Sequence, residues 1–223
     1  MTKQGAGEVR VEGVRSPYLE AGPSDATEAA VLVHGDHGSS RDWEDLLARI
    51  GQFSRAVAPD MPGFGNAEKP EDYENIVEGY SRHLDGVLAE LGIRRAHLVL
   101  HGFGGPWGLQ WACEHPEAFA SVTLINISVM SSYLWHHAVR TLRPLRRPAL
   151  VLWGARDPYL PVRYAERQRE VFPDARIVVL EESGHCPFSD DPEAVADEVV
   201  LFLRRNLSTG RQPGTERRTA GQA

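Results

Sequence analysis

Short apolar runs alternate with amphipathic segments along most of this chain, and that alternation limits the folds open to it. Residues 28–34, 55–59, 96–101 and 149–153 are apolar runs of five to seven residues, three of them meeting a glycine at or just after the end. Buried strands of parallel sheets have this form. Repeated strand–helix units joined by short links predict a single α/β domain with a mostly parallel sheet and helices on both faces.

The remaining segments fit the same scheme. Residues 40–53 place Trp43, Leu46, Leu47 and Ile50 at helical spacing, and a serine precedes them as a candidate N-cap. Further helices are predicted over 73–91, 103–115, 162–172 and 192–206, and further strands over 7–13, 16–20, 119–126 and 177–180. We interpret residues 1–207 as the folded core and residues 208–223, which lack apolar anchors, as a disordered tail.

Charge and cysteine content exclude several classes of function. The formal net charge of −7 argues against a nucleic-acid surface, because an acidic protein repels phosphate backbones. Two cysteines are too few for a disulfide framework, and no apolar run is long enough to cross a membrane. The sequence shows no metal-ligand spacing and no phosphate-binding glycine loop. We therefore expect a cytoplasmic protein that acts on a small molecule, without nucleic acid, membrane, metal or cofactor.

Five short motifs follow predicted strands in a fixed order. They are His34-Gly35, the run DMPGFG at 60–65, the run HGFGG at 101–105, the run GARD at 154–157, and Gly184-His185. With these motifs the chain resembles the α/β-hydrolase superfamily, in particular its epoxide-hydrolase and haloalkane-dehalogenase branch, over about residues 7–206. The resemblance implies the α/β-hydrolase fold.

The resemblance also assigns roles to residues of these motifs. His185 stands where the family has its catalytic base, and Asp157 stands where it has the acid that orients the base. The backbone N–H groups of Phe103 and Asp36 correspond to the oxyanion hole. In other members the acid follows the sixth strand, where this chain has Asn126 and Ser128.

The chain departs from the family at the nucleophile. When Gly104-Gly105 is aligned with the glycines that follow the nucleophile, Gly102 occupies the nucleophile position. Glycine adopts positive φ without strain, so the sharp turn can persist, but it has no side-chain atom to attack a substrate. An impaired or engineered hydrolase is the alternative interpretation.

A second departure is the short segment between the sixth and seventh strands. Family members of this branch insert a multi-helix cap there, whereas residues 127–147 leave room for a vestigial cap of one or two helical turns. The pocket is then open unless a second subunit of a homodimer closes it. This segment is rich in arginine, histidine and aromatic residues, which form either a basic rim for an anionic or aromatic substrate or a solvated surface turn.

Several further side chains are candidates for the pocket. We expect the side chain of Asp36 to face it, acting as a catalytic acid or disfavouring anions. His37 beside it is either a pocket residue or a surface histidine. His101, Ser128 and Trp135 are the other predicted pocket residues.

These assignments predict an enzyme without a covalent intermediate. A positioned general base contributes typically 10²–10⁴-fold, which suits an activated substrate better than a stable ester. We expect cofactor-independent acid/base chemistry, such as cyclisation, elimination, isomerisation or C–C cleavage of a small molecule of the natural-product type. Two alternatives stay open: hydrolysis of an epoxide, ester, thioester or lactone by water that His185 activates, and a binding protein without catalysis.

Overall fold

The computed structural model describes residues 5–128 and 130–208 and contains a mostly parallel, eight-stranded sheet. The strands are β1 Gly5–Val11, β2 Val14–Ala21, β3 Glu28–Val33, β4 Arg55–Pro59, β5 Arg95–Gly102, β6 Phe119–Ile127, β7 Ala149–Gly154 and β8 Arg176–Leu180. Their order is β1-β2-β4-β3-β5-β6-β7-β8. β2 pairs antiparallel with β1 and β4, and all the other pairs are parallel. The predicted sheet is confirmed. The predicted disordered tail, 208–223, lies outside the described residues except for Ser208.

Helices cover both faces of this sheet. They are α1 Glu44–Ile50, α2 Val77–Glu90, α3 Gly104–Glu114, α4 Ser132–Thr141, α5 Arg163–Arg167, α6 Pro187–Asp190 and α7 Pro192–Asn206. Helices α2, α3 and α4 bury apolar side chains against one face, and α1 and α7 bury theirs against the other. Because both faces are covered, every residue of β4, β6 and β7 is buried, as expected for the continuous apolar runs. No helix in the described part of the chain is long and apolar enough to cross a membrane.

Three helices differ from their predicted extents. The first predicted helix starts as a 3₁₀ turn at Ser40–Trp43, capped by Ser39. Helix α2 starts at Val77 instead of residue 73, because the Tyr73 hydroxyl donates to the carbonyl of Gly79 and the chain folds back over the first turn. The helix predicted over 162–172 is divided into α5 and a 3₁₀ turn at Gln168–Glu170.

The segment predicted as a vestigial cap is more helical than expected. Helix α4 has ten residues, nearly three turns at 3.6 residues per turn, and the 3₁₀ turn Arg143–Leu145 follows it. Ser131 starts the helix by accepting a hydrogen bond from the amide of Leu134. Leu134 and Ala138 are buried one turn apart, so the helix is anchored by an apolar face.

Close approach of α3 to the sheet fixes the turn after β5. A Cβ atom on Gly104 would lie 2.5 Å from the carbonyl oxygen of Val33 and 2.6 Å from that of His34. Both are backbone atoms that cannot rotate away. The first turn of α3 is therefore held against the end of β3, next to Gly102.

This contact predicts the effect of a single methyl group. Gly104→Ala should lower the free energy of unfolding by roughly 1–3 kcal/mol, because the added methyl overpacks a backbone contact. Urea unfolding followed by circular dichroism measures the change. Gly5→Ala is the control, since a Cβ there would meet only the flexible side chain of Glu20, at 3.6 Å or more. An unfolding midpoint for Gly104→Ala equal to that of the control would contradict the prediction.

Candidate active site

Gly102 ends β5 at a sharp turn and has a left-handed backbone conformation. Its φ is +50°, and its carbonyl accepts a hydrogen bond from the amide of Ser128 at 2.9 Å. A Cβ atom built on Gly102 would lie 3.3 Å from Gly35 Cα, 3.8 Å from Asp36 Oδ1 and 3.8 Å from His185 Nε2. The turn therefore leaves an unfilled position between a carboxylate and an imidazole.

His185 and Asp157 form a hydrogen-bonded pair beside this position. The loop after β8 carries His185 and the loop after β7 carries Asp157, and Nδ1 of the imidazole lies 2.7 Å from Oδ2 of the carboxylate. The side chain of Asp157 has no exposed surface, whereas that of His185 is 23% exposed. A carboxylate only accepts hydrogen bonds, so the proton of the neutral imidazole lies on Nδ1 and Nε2 is free to accept one.

Asp157 remains a carboxylate because four groups donate to it. Oδ2 accepts hydrogen bonds from His185 and from Nδ2 of Asn126 at 2.6 Å, and Oδ1 accepts from the amides of Tyr159 and Leu160 at 2.8 and 3.0 Å. Burial raises the pKa of Asp157, but these hydrogen bonds outweigh burial and the net pKa is lowered. The pair therefore contains an ionised acid at neutral pH.

Asn126 positions Asp157, a role that the sequence analysis did not assign to it. It is fully buried at the end of β6 with a positive φ of 39°, and its Oδ1 accepts a hydrogen bond from the amide of Gly154 at 2.9 Å. Its amide group thus joins β7 to the carboxylate of Asp157. The signal in the sequence was an amide side chain near the end of the predicted buried strand β6.

Asp36 faces the unfilled position, as predicted, and His37 lies at its edge. The Asp36 side chain is 40% exposed, and its Oδ2 lies 3.6 Å from Nε2 of His37, whose side chain is 93% exposed. Within the described residues, neither the amide of Asp36 nor that of Phe103 donates to another group. Both amides flank Gly102, and Phe103 stands at the amino end of α3, where the helix dipole favours negative charge.

A cavity of about 640 Å³ contains these groups. This volume is in the range of small-molecule sites. Of the predicted pocket residues, His37, His101 and Ser128 line it, together with Asp36, Phe103 and His185. Among the described residues, no cluster of three or more histidine, cysteine or carboxylate side chains could hold a metal ion.

His101 borders the cavity and also supports the loop that carries His185. Its Nε2 lies 2.9 Å from the carbonyl oxygen of His185, and the two imidazole rings are 4.9 Å apart. Burial lowers the pKa of His101 to about 4, so its ring is neutral at neutral pH and Nε2–H donates to that carbonyl. His101 therefore helps to position the proposed base.

Comparisons with known proteins agree with this architecture. A family model described as alpha/beta hydrolase fold matches residues 30–146, and one described as alpha/beta hydrolase family matches residues 109–198. The chain belongs to the alpha/beta hydrolase family. The predicted membership is confirmed.

Individual relatives of this family member are distant. Protein ABHD14A of Rattus norvegicus is 29% identical over 194 residues, which are 83% of this chain and 76% of that protein. A haloalkane dehalogenase of Agrobacterium fabrum is 34% identical over 96 residues, 43% of this chain and 31% of that protein. The crystal structure of a predicted CIB-like hydrolase from Thermoplasma acidophilum superposes with a TM-score of 0.83 at 21% identity, covering 92% of this chain and all of that one. The last similarity shows a shared fold.

Trp135 does not line the cavity of this hydrolase-family chain, contrary to prediction. Its side chain is buried on the inner face of α4, and its Nε1 donates to Glu170 at 2.9 Å while Arg167 lies over its ring at 4.2 Å. Of the two alternatives for the arginine-rich segment, the basic rim is not found at this cavity, because no arginine lines it among the described residues. Arg143 donates to the carbonyl of Glu170 and Arg146 pairs with Asp174, away from the site.

Two aromatic side chains at the cavity were missed. The ring of Tyr159 is 74% exposed and stands edge-on to His185 at 5.5 Å, and the ring of Phe188 stands edge-on to His101 at 4.9 Å. Tyr159 follows the GARD motif by two residues and Phe188 follows His185 by three. Proximity to these motifs was the available signal.

The unfilled position at Gly102 predicts a gain of function. Gly102→Ser should place a hydroxyl within hydrogen-bond reach of His185 Nε2 and create a nucleophile, despite about 1–2 kcal/mol of left-handed backbone strain. We expect hydrolysis of p-nitrophenyl acetate roughly 10²-fold faster than by Gly102→Ala, with an acetyl adduct on Ser at residue 102 in the intact-protein mass spectrum.

The control for this gain of esterase activity is a variant without the His185 imidazole. Adding His185→Ala to Gly102→Ser should remove both the rate and the adduct. If Gly102→Ser and Gly102→Ala hydrolyse the ester equally slowly, Gly102 does not occupy the nucleophile position.

Proposed function

We propose that this family member is an enzyme that works by acid/base chemistry, with His185 as the group that moves the proton and with no bond formed between substrate and protein. One observation carries the proposal: His185 Nε2 lies 3.8 Å from a Cβ position that Gly102 leaves empty. The base of a hydrolase site is present and held by Asp157, and the side chain that it would activate is absent. The substrate itself is then the nearest group from which His185 can take a proton.

The proposed chemistry uses the surrounding groups in defined roles. Nε2 of His185 accepts a proton from the substrate, and Asp157 stabilises the imidazolium through Nδ1. The amides of Phe103 and Asp36 donate to the enolate or alkoxide that forms. The side chain of Asp36, whose Oδ1 lies 3.8 Å from the empty position, accepts a hydrogen bond from the substrate, and the imidazolium of His185 returns the proton to the product.

The size of these rate accelerations limits which substrates the site can convert. The oxyanion hole and substrate binding leave roughly 10³–10⁴-fold over water once a triad lacks its nucleophile, and a positioned base contributes typically 10²–10⁴-fold. That is too little for a stable amide or ester, and enough for a molecule in which one proton transfer triggers ring closure, ring opening, elimination or C–C cleavage. We therefore propose a small, already activated substrate.

A second candidate is hydrolysis by an activated water molecule. Asp36 Oδ1 and His185 Nε2 are both 3.8 Å from the Cβ position, which gives a water molecule there an acceptor on each side. Such a water could attack an epoxide, ester, thioester or lactone. Haloalkane dehalogenase, a relative by sequence, is itself an enzyme.

A probe that needs only a base tests the first candidate. In 5-nitrobenzisoxazole, removal of the C3 proton breaks the N–O bond and gives a coloured cyanophenolate, with no water consumed. The unaltered protein should open this ring roughly 10²-fold faster than His185→Ala, because the variant lacks the proton acceptor. The release of the phenolate is followed by its absorbance.

The control is His136→Ala, which removes an exposed imidazole on α4 outside the cavity and should keep the full rate. Equal rates for the unaltered protein and His185→Ala would contradict the proposal. A covalent adduct of the unaltered protein with p-nitrophenyl acetate would also contradict it. Ester turnover that depends on His185 without an adduct, combined with no ring opening, would favour the second candidate.

A further inference from the structure

Among the described residues, the permanently charged side chains that line the cavity are all negative. Asp36 and Asp42 line it, and Asp157 lies beneath His185. Among the described residues that line the cavity there is no lysine or arginine. Asp42 keeps its orientation by accepting a hydrogen bond from the amide of Ser39 at 3.2 Å. A ligand that enters therefore meets two carboxylates and no permanent positive charge.

The same negative charge affects the pKa of a thiol in the cavity wall. Cys186 lines the cavity, and its pKa is raised by burial and by the nearby carboxylates of Asp42, Asp190, Asp157 and Asp36. All of these interactions disfavour an anion at the sulfur. The raised pKa agrees with the geometry, because carboxylates from several loops lie close to the cavity.

Aromatic surface is available next to the carboxylates. Phe103 and Tyr159 line the cavity and are 45% and 74% exposed as residues, so part of each side chain is open to a ligand. An aromatic face attracts a cation through its quadrupole, and its area accepts an apolar body. Carboxylates and open rings together are the groups that recognise an organic cation.

We infer that the substrate of this site is an organic cation, an ammonium or similar group attached to a small apolar or aromatic body, with its charge beside Asp36. This inference rests on the proposed function, whose active site it specifies further. It also removes a conflict within that proposal, since an oxyanion held by the Asp36 amide would otherwise lie close to the Asp36 carboxylate. A substrate cation paired with that carboxylate offsets the repulsion.

Three ligands of similar size and different charge test the inference. 2-Phenylethylamine is cationic, 2-phenylethanol is neutral and phenylacetate is anionic at pH 8, where a histidine of ordinary pKa is uncharged. Dissociation constants are measured by NMR titration of the full chain. We expect the amine to bind roughly 2- to 5-fold more tightly than the alcohol, and phenylacetate to bind most weakly, as for a partly exposed charge pair.

Two matched variants identify the source of any preference. Asp36→Asn should reduce the amine-to-alcohol ratio towards one, because it removes the charge and keeps the shape. Asp25→Asn, with the same change on an exposed loop before β3, should keep the ratio. The inference is overturned if the alcohol or phenylacetate binds as tightly as the amine, if the amine shows no saturable binding, or if both variants reduce the ratio equally.

His185→Ala separates this inference from the proposed function. The variant should keep the preference for the amine, because the imidazole does not supply the negative charge, while it loses ring opening of 5-nitrobenzisoxazole. Full ring opening by His185→Ala, with the amine preference intact, would end the proposed function and leave the charge selectivity standing. If His185→Ala loses ring opening as expected but the protein shows no preference for the amine, the charge selectivity is overturned and the proposed function stands.

Discussion

The hydrogen bond between Asp157 and His185 is the interaction on which the rest of the site depends. Each partner comes from a different loop, and 2.7 Å between Oδ2 and Nδ1 joins them. The four donors around Asp157 keep it ionised despite burial, and the ionised acid in turn selects the imidazole tautomer whose Nε2 faces Gly102. The buried amide of Asn126 extends this arrangement into the sheet. A change in any of these contacts would alter the direction in which His185 accepts a proton.

The turn at Gly102 combines a left-handed backbone, close packing of α3 on β3 and two undonated amides, although the residue at the tip has no side chain. Glycine adopts this conformation without strain, so the turn does not depend on a side chain at this position. What is left is a base, an acidic side chain and hydrogen-bond donors around an open position, and that set is suited to moving protons.

Local signals in the sequence accounted for the sheet and for most helices, whereas the pairing of His185 with Asp157 was implied by the resemblance to the family. Helix α7 was predicted to the residue because Asp191 and Pro192 mark its start and its apolar period is regular. Trp135 was misplaced because the sequence does not reveal which neighbour an aromatic side chain on a short helix will meet. Asn126 was overlooked for a related reason: its role depends on a carboxylate 31 positions away. The negative charge of the cavity could not be predicted either, because its aspartates lie on loops that come together only in the fold.

The tautomer of His185 is the most direct measurement of this account, and it needs no substrate. Two-bond ¹H–¹⁵N correlation NMR of the labelled protein at pH 8 distinguishes a protonated Nδ1 from a protonated Nε2. The account predicts a proton on Nδ1, shifted downfield by the hydrogen bond to Asp157, and an unprotonated Nε2. A proton on Nε2, or an Nδ1 without the hydrogen bond, would contradict it, since no base would then face the position that Gly102 leaves open.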